Sequence, residues 1–285
     1  MTNPYDGYIQ QILELKHQLD EQSKFVEEEY FESFNQIKEI ASAIGFEDDK
    51  PIQPYQVGYQ LSHRDIIMPS LPKEFSNAID ELKRGKCNSQ IGISELLKSL
   101  RTEWLGDEVV NGFIELLQNK RIGFLNSFFF TKLSKNWSLS GNRIDYENSK
   151  RWVKNNDLFS YEKVLIPVNI SNTHWVLCVI DNDEHTISVY DSLSGGRSCQ
   201  NISLKIAAFV RRLADETGHL GTYNIIDIDD NPKQSNGYDC GAFTCKCADC
   251  ISLGVPLEFT QKDMPKWREL LVAQVIVGKL IVPRD

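Results

Sequence analysis

Residues 163–190 constrain the fold more than any other stretch of the chain. KVLIPVN (163–169) and HWVLCVI (174–180) are apolar runs of strand length, and TISVY (186–190) alternates apolar with polar. Runs this short, bounded by turn residues, suit strands against a core. Asn182-Asp183 is a tight-turn signal between the second and third runs and predicts a hairpin. With those two residues as the loop, Asp181 faces Glu184, Cys178 faces Ile187, Val176 faces Val189 and His174 faces Asp191. Side chains directly opposite sit about 4.5–5.5 Å apart at Cβ. The expected register therefore puts an imidazole beside a carboxylate on one sheet face, and a one-residue slip would part them.

Helical patterning surrounds these strands. It begins at Glu74 and recurs over 92–101, 104–119, 202–214, from Cys240 to about Ser252, and over 263–280; 223–228 reads as one more strand. Helices at both ends of a group of central strands predict an α+β fold. Upstream, Ile9, Ile12, Leu15, Leu19, Val26, Tyr30, Phe34 and Ile37 follow helical spacing over 9–45, with Glu27, Glu28 and Glu29 on the polar side. Such a helix either covers a core or meets a partner helix. Residues 46–74 hold four of the ten prolines and read as linker. The expected division is a helical extension and linker over 1–70 and a main domain over 71–285.

Composition removes several classes of function. A length of 285 residues suits one large domain with an appendage, and 41% hydrophobic with 25% charged residues is ordinary for a globular chain. The net charge of -9 repels phosphate, so no nucleic-acid partner is expected. The apolar tail Leu270 to Val282 is broken by Gln274 and Lys279, short of the ~18–20 apolar residues of a membrane span, and the first residues lack the features of a secretory signal. Seven cysteines, an odd number in a chain able to build its own core, point to a reducing, intracellular home.

One of those cysteines sits in a reactive setting. In Gln234-Ser-Asn-Gly-Tyr-Asp-Cys240-Gly241, two glycines allow tight turns beside Cys240, which opens a helix. The positive helix end and a nearby imidazolium both lower a thiol pKa, and the thiolate is the nucleophile. Gln234 is close enough in sequence for its side-chain amide to join the Cys240 backbone N–H in holding an oxyanion. His174, Asp191, Gln234 and Cys240 thus form a candidate base, orienter, oxyanion donor and nucleophile.

These residues carry a resemblance. His174-Trp175-Val176-Leu177, Tyr190-Asp191-Ser192 and Gln234 to Gly241 resemble the motifs H-W-x-L, Y-D-S and Q-x-N-G-x-D-C-G of the ubiquitin-like-protein-specific cysteine proteases, particularly the SUMO (sentrin)-specific branch. Trp104-Leu-Gly-Asp-Glu108 resembles the family's W-L-N-D-E, with Gly106 in place of Asn. Asn126 to Leu133, Arg151-Trp152 and Phe259 to Pro265 match further family segments, so the likeness spans about 75–282. It implies a papain-like α+β fold, with a central mixed sheet flanked by helices, and hydrolysis after the C-terminal Gly-Gly of a ubiquitin-like modifier. That modifier would be SUMO, released from its precursor or from lysine conjugates, by an enzyme of the nucleus or cytoplasm that needs no cofactor or metal. It implies that Trp104 and Trp175 wall a slot over the diglycine, where only residues without Cβ can thread, and that Asp107 and Trp152 touch the body of the modifier. Two alternatives stay open: the same chemistry on ubiquitin or another modifier, and an acyltransferase with the same catalytic set.

Other signals are weaker. Cys245, Cys247 and Cys250 on one helix point in different directions and lack the spacing of zinc pairs, so they read as core. Lys83, Arg84 and Lys86 read as a solvated face, and His185 and His219 as loop residues.

Overall fold

Both faces of the central sheet are covered, which is why its middle strands read as unbroken apolar runs. The computed structural model describes residues 63–136, 144–153, 157–193, 197–219, 221–228 and 230–284. The helix expected over 9–45 lies outside them.

Helices α1 (His63–Ile67), α2 (Lys73–Lys83), α3 (Ile93–Ser99) and α4 (Asp107–Leu116) come first. Strand β1 (Ile122–Phe124), α5 (Ser127–Leu133) and α6 (Tyr146–Ser149) lead to β2 (Lys163–Ile170), β3 (His174–Asp181) and β4 (Thr186–Tyr190). Then come α7 (Arg197–Thr217), β5 (Asn224–Asp227), α8 (Cys240–Leu253) and α9 (Met264–Val277). The strands lie in the order β1-β2-β3-β4-β5, parallel at the two outer pairings and antiparallel at the two inner ones. This is the mixed-sheet α+β architecture expected above.

Alternation along β3 splits the core in two. Trp175, Leu177 and Val179 join the cluster built from α2, α4, α8 and α9. Val176, Cys178 and Ile180 join the other, with Phe129 of α5 and Ile206 and Phe209 of α7. Helix α8 runs through the first cluster with every residue from Cys240 to Cys250 buried, so it shows no amphipathic stripe. Cys245, Cys247 and Cys250 pack there. Gly254 and Gly278, at φ 68° and 70°, end α8 and α9 in the left-handed conformation that glycine adopts most easily.

Three local expectations are corrected. His63–Ile67, inside the stretch read as linker, is helical, and Ile67 and Met68 are buried in the core. The helix expected from 104 starts at Asp107, because Trp104 and Leu105 precede an extended Gly106 whose N–H donates to Glu95 Oε1 at 3.1 Å. The β3–β4 register is shifted by two: Cys178 pairs with Val189 and Asp181 with Thr186, so the loop is 182–185 rather than Asn182-Asp183 alone. The cause is Asn182, whose N–H donates to Glu162 O at 2.8 Å and whose side chain donates to Leu158 O and Tyr161 O at 2.9 and 2.7 Å. Tied to the chain before β2, Asn182 cannot lead a two-residue turn, and His185 at φ 50° completes the longer one. A shift of two preserves side-chain parity. Extending the observed pairing places His174 and Asp191 diagonally on one face instead of directly opposite.

Candidate active site

Four elements converge at one end of the sheet. His174 and Trp175 open β3, Asp191 follows the last residue of β4, Gln234 lies on the loop before α8, and Cys240 is the first residue of that helix. His174 Nε2 donates to Asp191 Oδ1 at 2.7 Å. Its Nδ1 is buried without a hydrogen bond of ordinary geometry, and it is the ring nitrogen left to meet the Cys240 thiol.

Electrostatics bind the three groups together. Burial pulls the His174 imidazole down, but hydrogen bonding to Asp191 and Cys240, with their negative charge, outweighs it and raises the pKa to about 9. Burial pushes the Cys240 thiol up, but bonding to His174, the backbone N–H groups of Trp175 and Gly241, and the imidazolium charge bring it below the ordinary cysteine value. Asp191 is likewise held below the usual carboxylate range: burial opposes ionisation, and His174 and the Leu193 N–H at 2.7 Å prevail. A thiolate facing an imidazolium is the reactive state of a cysteine nucleophile.

Gln234 is buried and fixed at both ends of its amide. Its Oε1 accepts from Ser192 Oγ at 2.5 Å, and Nε2 donates to Asn236 O at 2.6 Å. An amide nitrogen has two hydrogens, so one remains for a ligand.

A cleft of about 760 Å³ leads to Cys240, lined by Trp104, Leu105, Asp107, Trp175, Gly237 and Tyr238 among others. The two indoles differ. Trp175 is 3% exposed and donates to Leu105 O at 2.9 Å, whereas Trp104 is 52% exposed and donates to Gly237 O at 2.7 Å. Asp107 lies at the cleft edge, where its Oδ1 accepts from Ser127 Oγ at 2.9 Å. Trp152 is not among the cleft residues; it donates to Asn126 Oδ1 at 3.1 Å and meets Phe129 edge-on.

Sequence reasoning missed the supports. Cys199 Sγ lies 3.5 Å from Asp191 Oδ2, and Asn231 Nδ2 and Lys233 Nζ each donate to Asp191 O at 3.0 Å. Ser192, which aims Gln234, was visible only as part of a motif. Among the described residues, no group of three or more His, Cys, Asp or Glu is placed to hold a metal, and no helix is long and apolar enough to cross a membrane.

Residues 103–275 match the Ulp1 protease family, C-terminal catalytic domain. Human sentrin-specific protease 2 is 33% identical over 231 residues, covering 75% of this chain and 38% of that protein. Ubiquitin-like-specific protease 1 of Saccharomyces cerevisiae is 26% identical over 229 residues, covering 75% of this chain and 35% of that one. The chain thus spans well under half the length of either relative. Among solved structures, a SUMO protease Ulp1 with its catalytic cysteine oxidised to a sulfonic acid aligns with a TM-score of 0.64 and 25% identity, over 74% of this chain and 98% of that one.

Proposed function

The chain belongs to the Ulp1 protease family, and from that membership we propose that it is a thiol protease cleaving after the C-terminal Gly-Gly of a ubiquitin-like modifier of the SUMO type. It would mature the precursor and release the modifier from lysine. The observation that carries this reading is His174 held at 2.7 Å by Asp191 and coupled to Cys240, which lines a cleft together with two tryptophans.

The proposed mechanism gives each group a role, with His174 serving first as acid and then as base. The modifier tail enters between Trp104 and Trp175, where absence of Cβ lets two glycines pass. Cys240 thiolate attacks the terminal glycine carbonyl. The oxyanion takes the free N–H of Gln234 and the Cys240 backbone N–H. His174, held by Asp191, gives its Nδ1 proton to the leaving amine. It then draws a proton from water, whose oxygen attacks the thioester and frees the modifier. Asp107 and Trp152, outside the chemistry, contact the modifier body.

The same reading assigns the catalytic domain to the folded body that includes His63–Ile67, since Ile67 and Met68 are part of its core. It places the enzyme in the nucleus or cytoplasm, which suits seven free cysteines. The test is a panel of electrophilic probes built on SUMO and on ubiquitin. Labelling of wild type at Cys240 by the SUMO probe, and none in Cys240→Ser, supports the reading. Labelling by the ubiquitin probe alone refutes the choice of modifier, and labelling by neither refutes the activity.

A further inference from the structure

Arg268 lies on α9, well away in sequence from every residue given a role above, and its side chain is 3% exposed. Its Nε donates to Asp239 Oδ1 at 2.7 Å. Nη1 donates to Ser99 O at 2.9 Å, and Nη2 to Glu103 O at 2.8 Å and Tyr238 O at 3.1 Å. One guanidinium therefore joins two walls of the cleft. Ser99 and Glu103 bracket the stretch running into Trp104, and Tyr238 and Asp239 run into Cys240.

Asp239 makes the arrangement more telling. It holds the N-cap position of α8, where a carboxylate ordinarily accepts from the first-turn N–H groups. Here its side chain makes no cap bond. It faces Arg268 instead, together with Gln261 Nε2 at 2.6 Å and Asn236 Nδ2 at 2.7 Å. A buried ion pair seldom stabilises a fold more than apolar groups of the same shape would. Its contribution here is geometric: a planar fork with fixed donor directions sets the spacing of the segments it bonds.

We propose that Arg268 is the positioning residue that fixes the width of the cleft, by holding the Trp104 segment and the Cys240 turn at a set separation. The proposal rests on the function proposed above for its kinetic consequence, but not for its structural one. The direct Trp104 to Gly237 bond then closes a gap whose size Arg268 has already set.

The test is Arg268→Lys, which keeps a cation beside Asp239 but cannot reach four acceptors at once. Three readings are taken on the full chain beside wild type. The first is the rate and pH midpoint of Cys240 alkylation by iodoacetamide, a reagent too small to need the cleft. The second is kcat and KM on a SUMO Gly-Gly fluorogenic amide. The third is backbone hydrogen exchange over 99–105 and 236–240. We expect alkylation within about twofold of wild type, kcat/KM at least tenfold lower, and faster exchange in both segments. Alkylation and turnover falling by the same factor would overturn the proposal, because that marks general damage to the fold. So would unchanged exchange in either segment. If wild type cleaves no diglycine substrate, the functional reading fails, and exchange alone decides the role of Arg268. If Arg268→Lys does not fold, Asp239→Asn is read in the same way, with faster exchange over 236–240 and reduced turnover expected.

Discussion

Trp104 Nε1 donates to the carbonyl of Gly237 across 2.7 Å, so the exposed indole of the cleft is tied to the loop that carries the nucleophile. Trp104→Ala removes both the wall and the tie and should lower kcat/KM on a diglycine amide by about 10²-fold or more. Trp104→Phe keeps a flat ring but loses the bond, worth about 0.5–1.5 kcal/mol, and should cost about 3–10-fold. Steady-state kinetics on both variants check the order.

The pH profile should be bell-shaped. Activity rises as Cys240 ionises, below the ordinary cysteine value, and falls as His174 loses its proton near pH 9. Asp191→Asn removes the negative charge that favours the imidazolium and leaves only a weaker, neutral acceptor for His174 Nε2, so the alkaline limb moves to lower pH. The same shift bears on stability. A histidine whose folded pKa is raised contributes fully below its unfolded value near 6.5 and loses that contribution as pH rises through about 9. Denaturant titrations at pH 6 and pH 10 should show a larger loss at pH 10 in wild type than in Asp191→Asn.

Gln234→Ala should lower kcat by about 10²–10³ with little change in KM, as removal of an oxyanion donor does. Ser192→Ala leaves the amide in place but frees its Oε1, which Ser192 Oγ holds at 2.5 Å. Its loss should be nearer tenfold and should also appear in kcat. Equal losses in the two variants would remove Gln234 from the oxyanion site.

Gly106 tolerates a side chain. A Cβ there would meet Glu95 Oε1 at 2.5 Å, but that oxygen is the far end of a flexible side chain and can swing away. Gly106→Asn supplies α4 with the side-chain cap that it lacks. Replacing glycine by a better cap is worth a few tenths of a kcal/mol. Displacing Glu95 gives up the bond it accepts from the Gly106 N–H, so thermal unfolding should be unchanged or slightly lower, with turnover within about twofold.

The start of the folded body can be located by truncation. Ile67 and Met68 are 0% and 4% exposed, and burying side chains of this kind is worth about 1.5–3 kcal/mol each. The backbone of this turn is also bonded: Lys246 Nζ donates to Ile67 O, and Lys266 Nζ to Met68 O at 2.8 Å. A chain beginning at residue 61 should melt several degrees above one beginning at 71 by differential scanning calorimetry.

The parts of this fold that announce themselves in the sequence are those governed by local period. The three inner strands and α9 could be read from apolar runs and spacing, and α8 from its start at Cys240. The β3–β4 register could not, because Asn182 is held by carbonyls of the chain before β2, a contact that no window around the turn contains. His174 and Asp191 meet despite the misread loop because an even shift leaves parity intact. Helix α1 was hidden by the neighbouring prolines, and its anchors, Lys246 and Lys266, come roughly 180 to 200 residues later. Arg268 gave no signal at all: it reads as one more charge on a helix until its four acceptors are seen together.

Of the seven cysteine thiols in the chain, six are pushed away from ionisation, chiefly by burial, and Cys240 alone is drawn toward it. The molecule thereby carries its own census. A mild thiol-directed reagent at neutral pH should consume one equivalent per native polypeptide and seven once the chain is denatured, so that mass alone distinguishes competent from collapsed material in any preparation.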